Sequence, residues 1–103
     1  RNRLQIYGTT EYVMNQESQE ERRATFGWHV ISIDGNDVDA LDRAFDEAKA
    51  TKGKPNLIVA NTPKGCGVSY METKAAWHHK DPTPEEYEQG MAELKAKEAA
   101  ANE

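Results

Sequence analysis

The stretch Asn61 to Gly67, NTPKGCG, gathers groups that can hold an anion. Its glycines free backbone amides to point at a ligand, and Lys64 adds an ammonium group; both stabilise anionic oxygen. The same spacing also serves an ordinary tight loop, and the G-x-x-x-x-G-K-S/T arrangement of a P-loop is absent. Downstream, His78 and His79 follow Trp77 and precede Lys80, Asp81 and Pro82. A histidine pair could bind metal, donate to phosphate or move a proton. Adjacent rings in a loop do not easily converge on one ion, so a packing or surface role stands beside those readings. His29, between Trp28 and Val30 in a strand-like stretch, reads as structural. Near the start, Asn2 offers a side-chain oxygen and Leu4 a main-chain carbonyl, the kind of donor that hard cations accept.

These groups need elements to place them. Leu4 to Tyr7 reads as a short strand closed by Gly8, and Gln16 to Phe26 as a polar helix ended by Gly27. WHVISI, Trp28 to Ile33, alternates apolar and polar side chains and runs into the turn DGND. From Asp37 the period becomes helical: Val38, Leu41, Phe45 and Ala48 form one apolar stripe, with Asp37 as cap and Gly53 beyond the end. NLIVA, Asn56 to Ala60, is nearly all apolar, as for a strand covered on both faces. After the loop Asn61 to Ser69, the residues Thr83, Pro84 and Glu86 supply an N-cap, a first-turn proline and a capping-box partner. Tyr87, Met91 and Leu94 then form an apolar stripe, and KAKEAAANE reads as a helix tip or disordered tail. The order implies an α/β fold: a parallel-sheet layer with flanking helices over residues 1–96 and a tail over 97–103. In such sheets ligands sit at the carboxyl ends of strands, here Asp34 to Asp37 and Asn61 to Ser69.

Composition narrows the class. A chain of 103 residues has room for one small domain. Apolar residues make up 37% and charged residues 30%, a globular pattern with a lean core. The net charge of −5, with no face rich in Lys and Arg, argues against nucleic acid as a partner. The longest apolar run, Leu57 to Ala60, is far short of the roughly 20 residues that cross a bilayer. One cysteine, Cys66, cannot form an internal disulfide or a multi-cysteine zinc site and suits a reducing cytoplasm. The opening RNRLQIYG passes directly into strand-like residues, as in a chain entered midway.

Three segments in order resemble the transketolase family, and the similarity runs from Asn2 to about Leu94. NRLQIYGTT resembles the close of the family's thiamine diphosphate motif, in which a GDG is followed some tens of residues later by an asparagine. FGWHVISIDGND resembles its FGW strand and DGHD turn, and TPKGCGVSYMETKAAWHHKDP its TxKGxGVSxMExxxxWHGKxP block. The resemblance implies part of a thiamine diphosphate-binding domain. It makes Asn2 a side-chain ligand and Leu4 a main-chain ligand of the magnesium ion that anchors the diphosphate. Ile6 falls where an aliphatic residue lines the cofactor pocket, although an apolar strand residue also reads as core. Lys64 and His78 match residues at the cofactor and substrate side of the site, and His78 is the candidate catalytic group. Asn36, Pro63, Cys66 and His79 depart from the family pattern; His79 replaces a glycine beside His78, where the lost freedom can alter the reach of that ring.

The implied reaction is two-carbon ketol transfer between sugar phosphates, with thiamine diphosphate and magnesium as cofactors. No GDG precedes Asn2, and no pyrimidine-binding domain follows, so the chain alone is expected to be inactive. The expected partners are the remainder of the cofactor domain and a pyrimidine-binding domain or subunit, in a homodimer or heterotetramer. Two other readings stand: a non-catalytic assembly module derived from such a subunit, and part of a thiamine-dependent deoxy-sugar-phosphate synthase.

Overall fold

The computed structural model describes residues 1–102; Glu103, at the end of the expected tail, lies outside the described residues. The elements are β1 (Leu4–Gln5), β2 (Gly8–Thr9), α1 (Thr10–Met14), α2 (Gln19–Thr25), β3 (His29–Asp34), α3 (Val38–Ala50), β4 (Asn56–Asn61), a 3-10 turn (Ala75–His78) and α4 (Pro84–Ala101). It is a mixed helix and strand fold around a small parallel sheet. Strands β3 and β4 pair in parallel from His29 opposite Asn56 to Asp34 opposite Asn61. That register brings the carboxyl ends of both strands level, and Gly35 N–H continues it by donating to Asn61 O at 2.8 Å.

Local chemistry sets the helix starts. The Asp37 carboxylate accepts from Ala40 N–H at 3.1 Å, the Ser18 hydroxyl from Glu21 N–H at 3.1 Å, and Thr83 and Glu86 form a reciprocal capping box behind Pro84. α3 packs on both parallel strands and α2 on β3. The buried apolar centre consists of Ile31, Ala44 and Val59, one residue from each of β3, α3 and β4.

Several expectations shift. The single strand over Leu4 to Tyr7 is a tight hairpin: the chain reverses at Ile6 and Tyr7, and Gly8 opens β2 instead of closing β1. Asn2 and Arg3 begin this reversal, since the Asn2 side chain accepts from Leu4 N–H and Arg3 O accepts from Thr10 N–H. On α3 the sheet-facing arc centres on Ala44, with Leu41 and Ala48 beside it. Val38 and Phe45, seven residues apart at about 100° per residue, fall on its flank and stay 77% and 53% exposed. NLIVA is not covered on both faces: Val59 alone is buried, and its neighbours are half-buried. The molecule is a slab of 51 × 40 × 15 Å with a radius of gyration of 17.1 Å, against about 13 Å for a close-packed domain of this length.

α4 docks by an unexpected face. Glu86, Gly90, Glu93 and Lys97, spaced four, three and four apart, line up against the loop that follows β4, and of the apolar stripe Tyr87, Met91 and Leu94 it is Leu94 that borders Gly67 of that loop. Tyr70 O–H donates to Glu86 O at 2.5 Å, and a Cβ on Gly90 would come within 2.8 Å of that hydroxyl. A mid-helix glycine costs roughly 0.5–1 kcal/mol relative to alanine; here it admits the tyrosine. Gly90→Ala is therefore expected to destabilise the fold by about 1–2 kcal/mol in spite of its better helix propensity, and Tyr70→Phe in the same chain should reverse part of that loss. Urea unfolding of the two variants checks both signs.

Candidate functional site

The site is built where the parallel strands end. Arg1 lies along the edge of β4 opposite β3: its main-chain nitrogen donates to Ala60 O at 2.5 Å and its carbonyl accepts from Thr62 N–H at 2.9 Å. This is the bonding pattern of a parallel bridge facing Asn61. Its guanidinium, with the side chain only 16% exposed, meets Glu20 at 3.2 Å, Glu17, and Glu11 at 4.0 Å. Arg1 so held delivers Asn2 and Leu4 to the carboxyl end of β4.

There a cleft of about 350 Å³ is lined by Asn2, Arg3, Leu4, Asn61, Pro63 and Thr73 among others. Asn2 Oδ1 accepts from Leu4 N–H at 3.0 Å, a side-chain turn that uses one of its two lone pairs. Arg3 and Thr73 have φ of 59° and are the non-glycine residues with positive φ among those described. For a β-branched threonine this is a true outlier, costing on the order of 1–3 kcal/mol. Both line this one cleft, from segments some seventy positions apart in the chain.

Lys64 opens the loop that leaves the cleft. Its carbonyl accepts from Thr73 N–H at 2.9 Å and closes the loop's neck, and its ammonium has no carboxylate partner among the described residues. His78 ends the 3-10 turn, which lies against β1. Its ring Nε2 is buried without a hydrogen-bond partner, a state that costs about 1–3 kcal/mol unless something donates or accepts there. Trp77 Nε1–H donates to Tyr70 O at 3.2 Å, and Lys80 sits 4.2 Å over the Trp77 ring while pairing with Glu86 at 2.6 Å, which ties the return segment to α4.

Asn2 and Leu4 thus share a cleft with the root of the Lys64 loop, and the turn carrying His78 packs beside them. Ile6 does not join them: it sits at the hairpin tip, 67% exposed, so it is not core either. His79 and Cys66 are exposed, and Asn36 spends its N–H on Asp34 Oδ1 at 2.9 Å within the turn. His29 pairs with Glu47 at 2.7 Å on the surface, in keeping with a structural role. Among the described residues no three His, Cys, Asp or Glu side chains cluster to hold a metal ion; the cleft offers the neutral oxygens of Asn2 and Leu4 and one carboxylate, Glu11, which lies 4.0 Å from the Arg1 guanidinium.

Sequence reasoning placed Asn61 at the head of the loop but gave its side chain no role. Its Nδ2–H group donates to Ile33 O at 3.0 Å and Ser32 Oγ at 3.1 Å, lacing the two strands where they end, and its Oδ1 is buried without a partner. A polar residue closing the apolar run Leu57 to Ala60, at the ligand end of a parallel sheet, was the available signal. Glu93 was passed over. It accepts from Ser69 N–H and Ser69 O–H, both at 2.7 Å, and the Ser69 N–H, Gln89 and the Ser69 hydroxyl hold its carboxyl down at about 2.

A family model described as "Transketolase, thiamine diphosphate binding domain" matches residues 1–97. An apulose-4-phosphate transketolase subunit of Phocaeicola vulgatus is 48% identical over 94 residues, which cover 91% of this chain and 34% of that protein. The 6-deoxy-6-sulfo-D-fructose transketolase subunit SqwG of a Clostridium species is 42% identical over 93 residues, covering 90% of this chain and 34% of the relative. Transketolase-like protein 2 of Mus musculus is 38% identical over 93 residues, covering 90% of this chain and 15% of the relative. The chain therefore spans about a third of the length of the first two relatives.

The Glu93 carboxyl sets a pH dependence. Its pKa in the folded state is lowered from 4.5 to about 2, so its contribution to stability is fully present above pH 4.5 and is lost as pH falls through about 2. The stability difference between the native chain and Glu93→Gln should accordingly narrow across that window. Unfolding curves at stepped pH check it, and a gap that does not change with pH would reject the assignment.

Proposed function

The chain belongs to the transketolase family, as part of its thiamine diphosphate-binding domain, and from that premise we propose that it carries the diphosphate-anchoring rim of a ketol-transferring enzyme. The observation that supports this best is the convergence of two strained non-glycine residues, Arg3 and Thr73, on the cleft that also holds Asn2 and Leu4. Backbone strain of this kind gathers at ligand sites, where positioning outweighs its cost.

The residues fit the expected group. Asn2 Oδ1 keeps a lone pair free, and with the Leu4 carbonyl it offers the neutral oxygen donors that magnesium accepts. The Lys64 ammonium, without a carboxylate partner among the described residues, would neutralise a phosphate of the cofactor or substrate. His78, with its buried Nε2 unpartnered, would donate to a phosphate or to a substrate oxygen, and is the catalytic candidate. When bound, thiamine diphosphate supplies the carbanion chemistry of two-carbon transfer between sugars, and the protein's task is to hold and orient. The substrates in the names of two relatives are sugars bearing a phosphate or a sulfo group, so the substrate class proposed here is a sugar with an anionic head group.

The activity belongs to an assembly. The remainder of the cofactor domain and a pyrimidine-binding domain or subunit complete the site, in a homodimer or a heterotetramer, and the isolated chain is inactive. The exposed Cys66 thiol suits the cytoplasm, and among the described residues no helix is long and apolar enough to cross a membrane. A second reading, an assembly module that binds no cofactor, draws on the Asn2 oxygen already engaged by Leu4 N–H and on exposed Tyr7, Tyr12 and Phe26.

One experiment separates the two. In the complete enzyme, Asn2→Ala is expected to raise the magnesium needed for half-maximal thiamine diphosphate binding, while Asn36→Ala leaves it unchanged. Lys64→Ala and His78→Ala should each weaken the cofactor or the phosphorylated substrate by about tenfold or more, as for charge-assisted hydrogen bonds, with less than additive loss in the double variant. Identical magnesium titrations for Asn2→Ala and Asn36→Ala would favour the assembly module.

A further inference from the structure

The loop from Lys64 to Thr73 is a coil held by its own main-chain bonds and gripped from outside by α4. Its neck is the Thr73 N–H to Lys64 O bond, and within it Val68 N–H donates to Gly65 O and Met71 N–H to Val68 O. Gly65 adopts a φ of +70°, and a Cβ there would lie 2.5 Å from the Met71 Cβ, so the coil is drawn as tight as glycine permits. The grip comes from the polar line on α4. Glu93 accepts from both the amide and the hydroxyl of Ser69, and Lys97, one turn on, donates its ammonium to Gly67 O at 2.7 Å. The carboxylate thus takes a backbone N–H and the ammonium a backbone carbonyl within three residues of the same loop. Gln89 Nε2–H braces the carboxylate from the preceding turn at 2.9 Å. The pair matches what the loop presents to the helix at these two points, a main-chain donor at Ser69 and a main-chain acceptor at Gly67.

We propose that Glu93, assisted by Lys97, is a positioning residue: by clamping Gly67 to Ser69 on α4 it fixes the loop that carries Lys64 in the shape that meets the anionic part of the cofactor. This rests on the reading of Lys64 as a contact of the cofactor diphosphate. Glu93 itself lies on α4 and acts through the loop. A clamp made of charge-assisted hydrogen bonds to main chain holds a loop of this kind without burying it, and so leaves its outer side open to a ligand. The lowered pKa of Glu93 keeps its carboxylate ionised, and the clamp closed, well into the acidic range.

The test uses the complete enzyme with its partner, thiamine diphosphate as the probe and calorimetric titration as the readout, alongside kcat at saturating cofactor. Glu93→Ala is expected to weaken cofactor binding about fivefold, the loss of roughly one net hydrogen bond, with kcat at saturation retained. Glu93→Gln, whose amide oxygen still accepts from Ser69 N–H, should recover most of the affinity, and Glu98→Ala, an exposed change one residue past Lys97, should leave it unchanged. In the Lys64→Ala background Glu93→Ala should have little further effect, because a positioning residue acts through what it positions; a merely structural role would give additive losses. Should Glu93→Ala fail to fold, Ser69→Ala removes only the hydroxyl arm and is expected to cost about twofold with the same dependence on Lys64. If Lys64→Ala weakens the cofactor but Glu93→Ala and Ser69→Ala do not, or are fully additive with it, the positioning role is overturned while the cofactor reading stands. If Lys64→Ala itself changes nothing, the cofactor reading falls instead.

Discussion

The parallel register of β3 and β4 is the constraint on which the site depends. With Asp34 level with Asn61, the turn after one strand and the loop after the other leave from a single line, and Gly35 and Asn61 are hydrogen-bonded across it. Arg1 extends the line on the far edge of β4 through Ala60 and Thr62. Shift that register by one residue and the Asn61 side chain leaves Ser32 and Ile33, the Arg1 bridge loses its partners, and Asn2 no longer reaches the root of the Lys64 loop. Apolar packing contributes little to this arrangement, since the buried residues of the three central elements are Ile31, Ala44 and Val59. Main-chain hydrogen bonding sets the geometry.

Much of this was legible from residue patterns with a direct local cause. Alternation in WHVISI, the apolar run NLIVA, the Asp37 cap and the Thr83 to Glu86 capping box each specify an element from within a few residues, and each is found. What stayed hidden depends on distant partners. The hairpin at Ile6 and Tyr7 follows from bonds accepted by the Asn2 side chain and the Arg3 carbonyl, and Ile6 and Tyr7 carry no turn signature of their own. The docking face of α4 is polar, so a search for apolar periodicity selects Tyr87, Met91 and Leu94 and passes over Glu86, Glu93 and Lys97. The candidate site was legible by likeness more than by physics: a lone asparagine and a lone lysine have no periodicity. Ile6, placed by likeness as well, stands apart from the cleft, because the hairpin carries it to an exposed tip.

Among the described residues, two of the three buried side-chain atoms without partners lie around the cleft. His78 Nε2 and Asn61 Oδ1 are both buried and unbonded, one beside β1 and the other at the end of β4, around the segments that meet at the cleft. Buried polar groups are as a rule satisfied, so two orphans near the strained Arg3 and Thr73 mark a place where the chain's own bonding is incomplete. Asn56 Oδ1, at the opposite end of β4, is the third such atom, and nothing else distinguishes its surroundings.

The slab shape bears on how such a chain persists. A body 15 Å thick is little more than one sheet and one layer of helix deep, and its surface of 7430 Å² compares with about 5,800 Å² for a compact protein of this mass. Almost every side chain is then within reach of an outside partner, and the folded population is governed by mass action: anything that covers Phe26, Tyr12 and the flank of α3 in the folded state alone multiplies the ratio of folded to unfolded chain by one plus its concentration over its dissociation constant. Abundance in a cell would track the supply of that partner, and surplus copies would be the ones exposed to proteolysis.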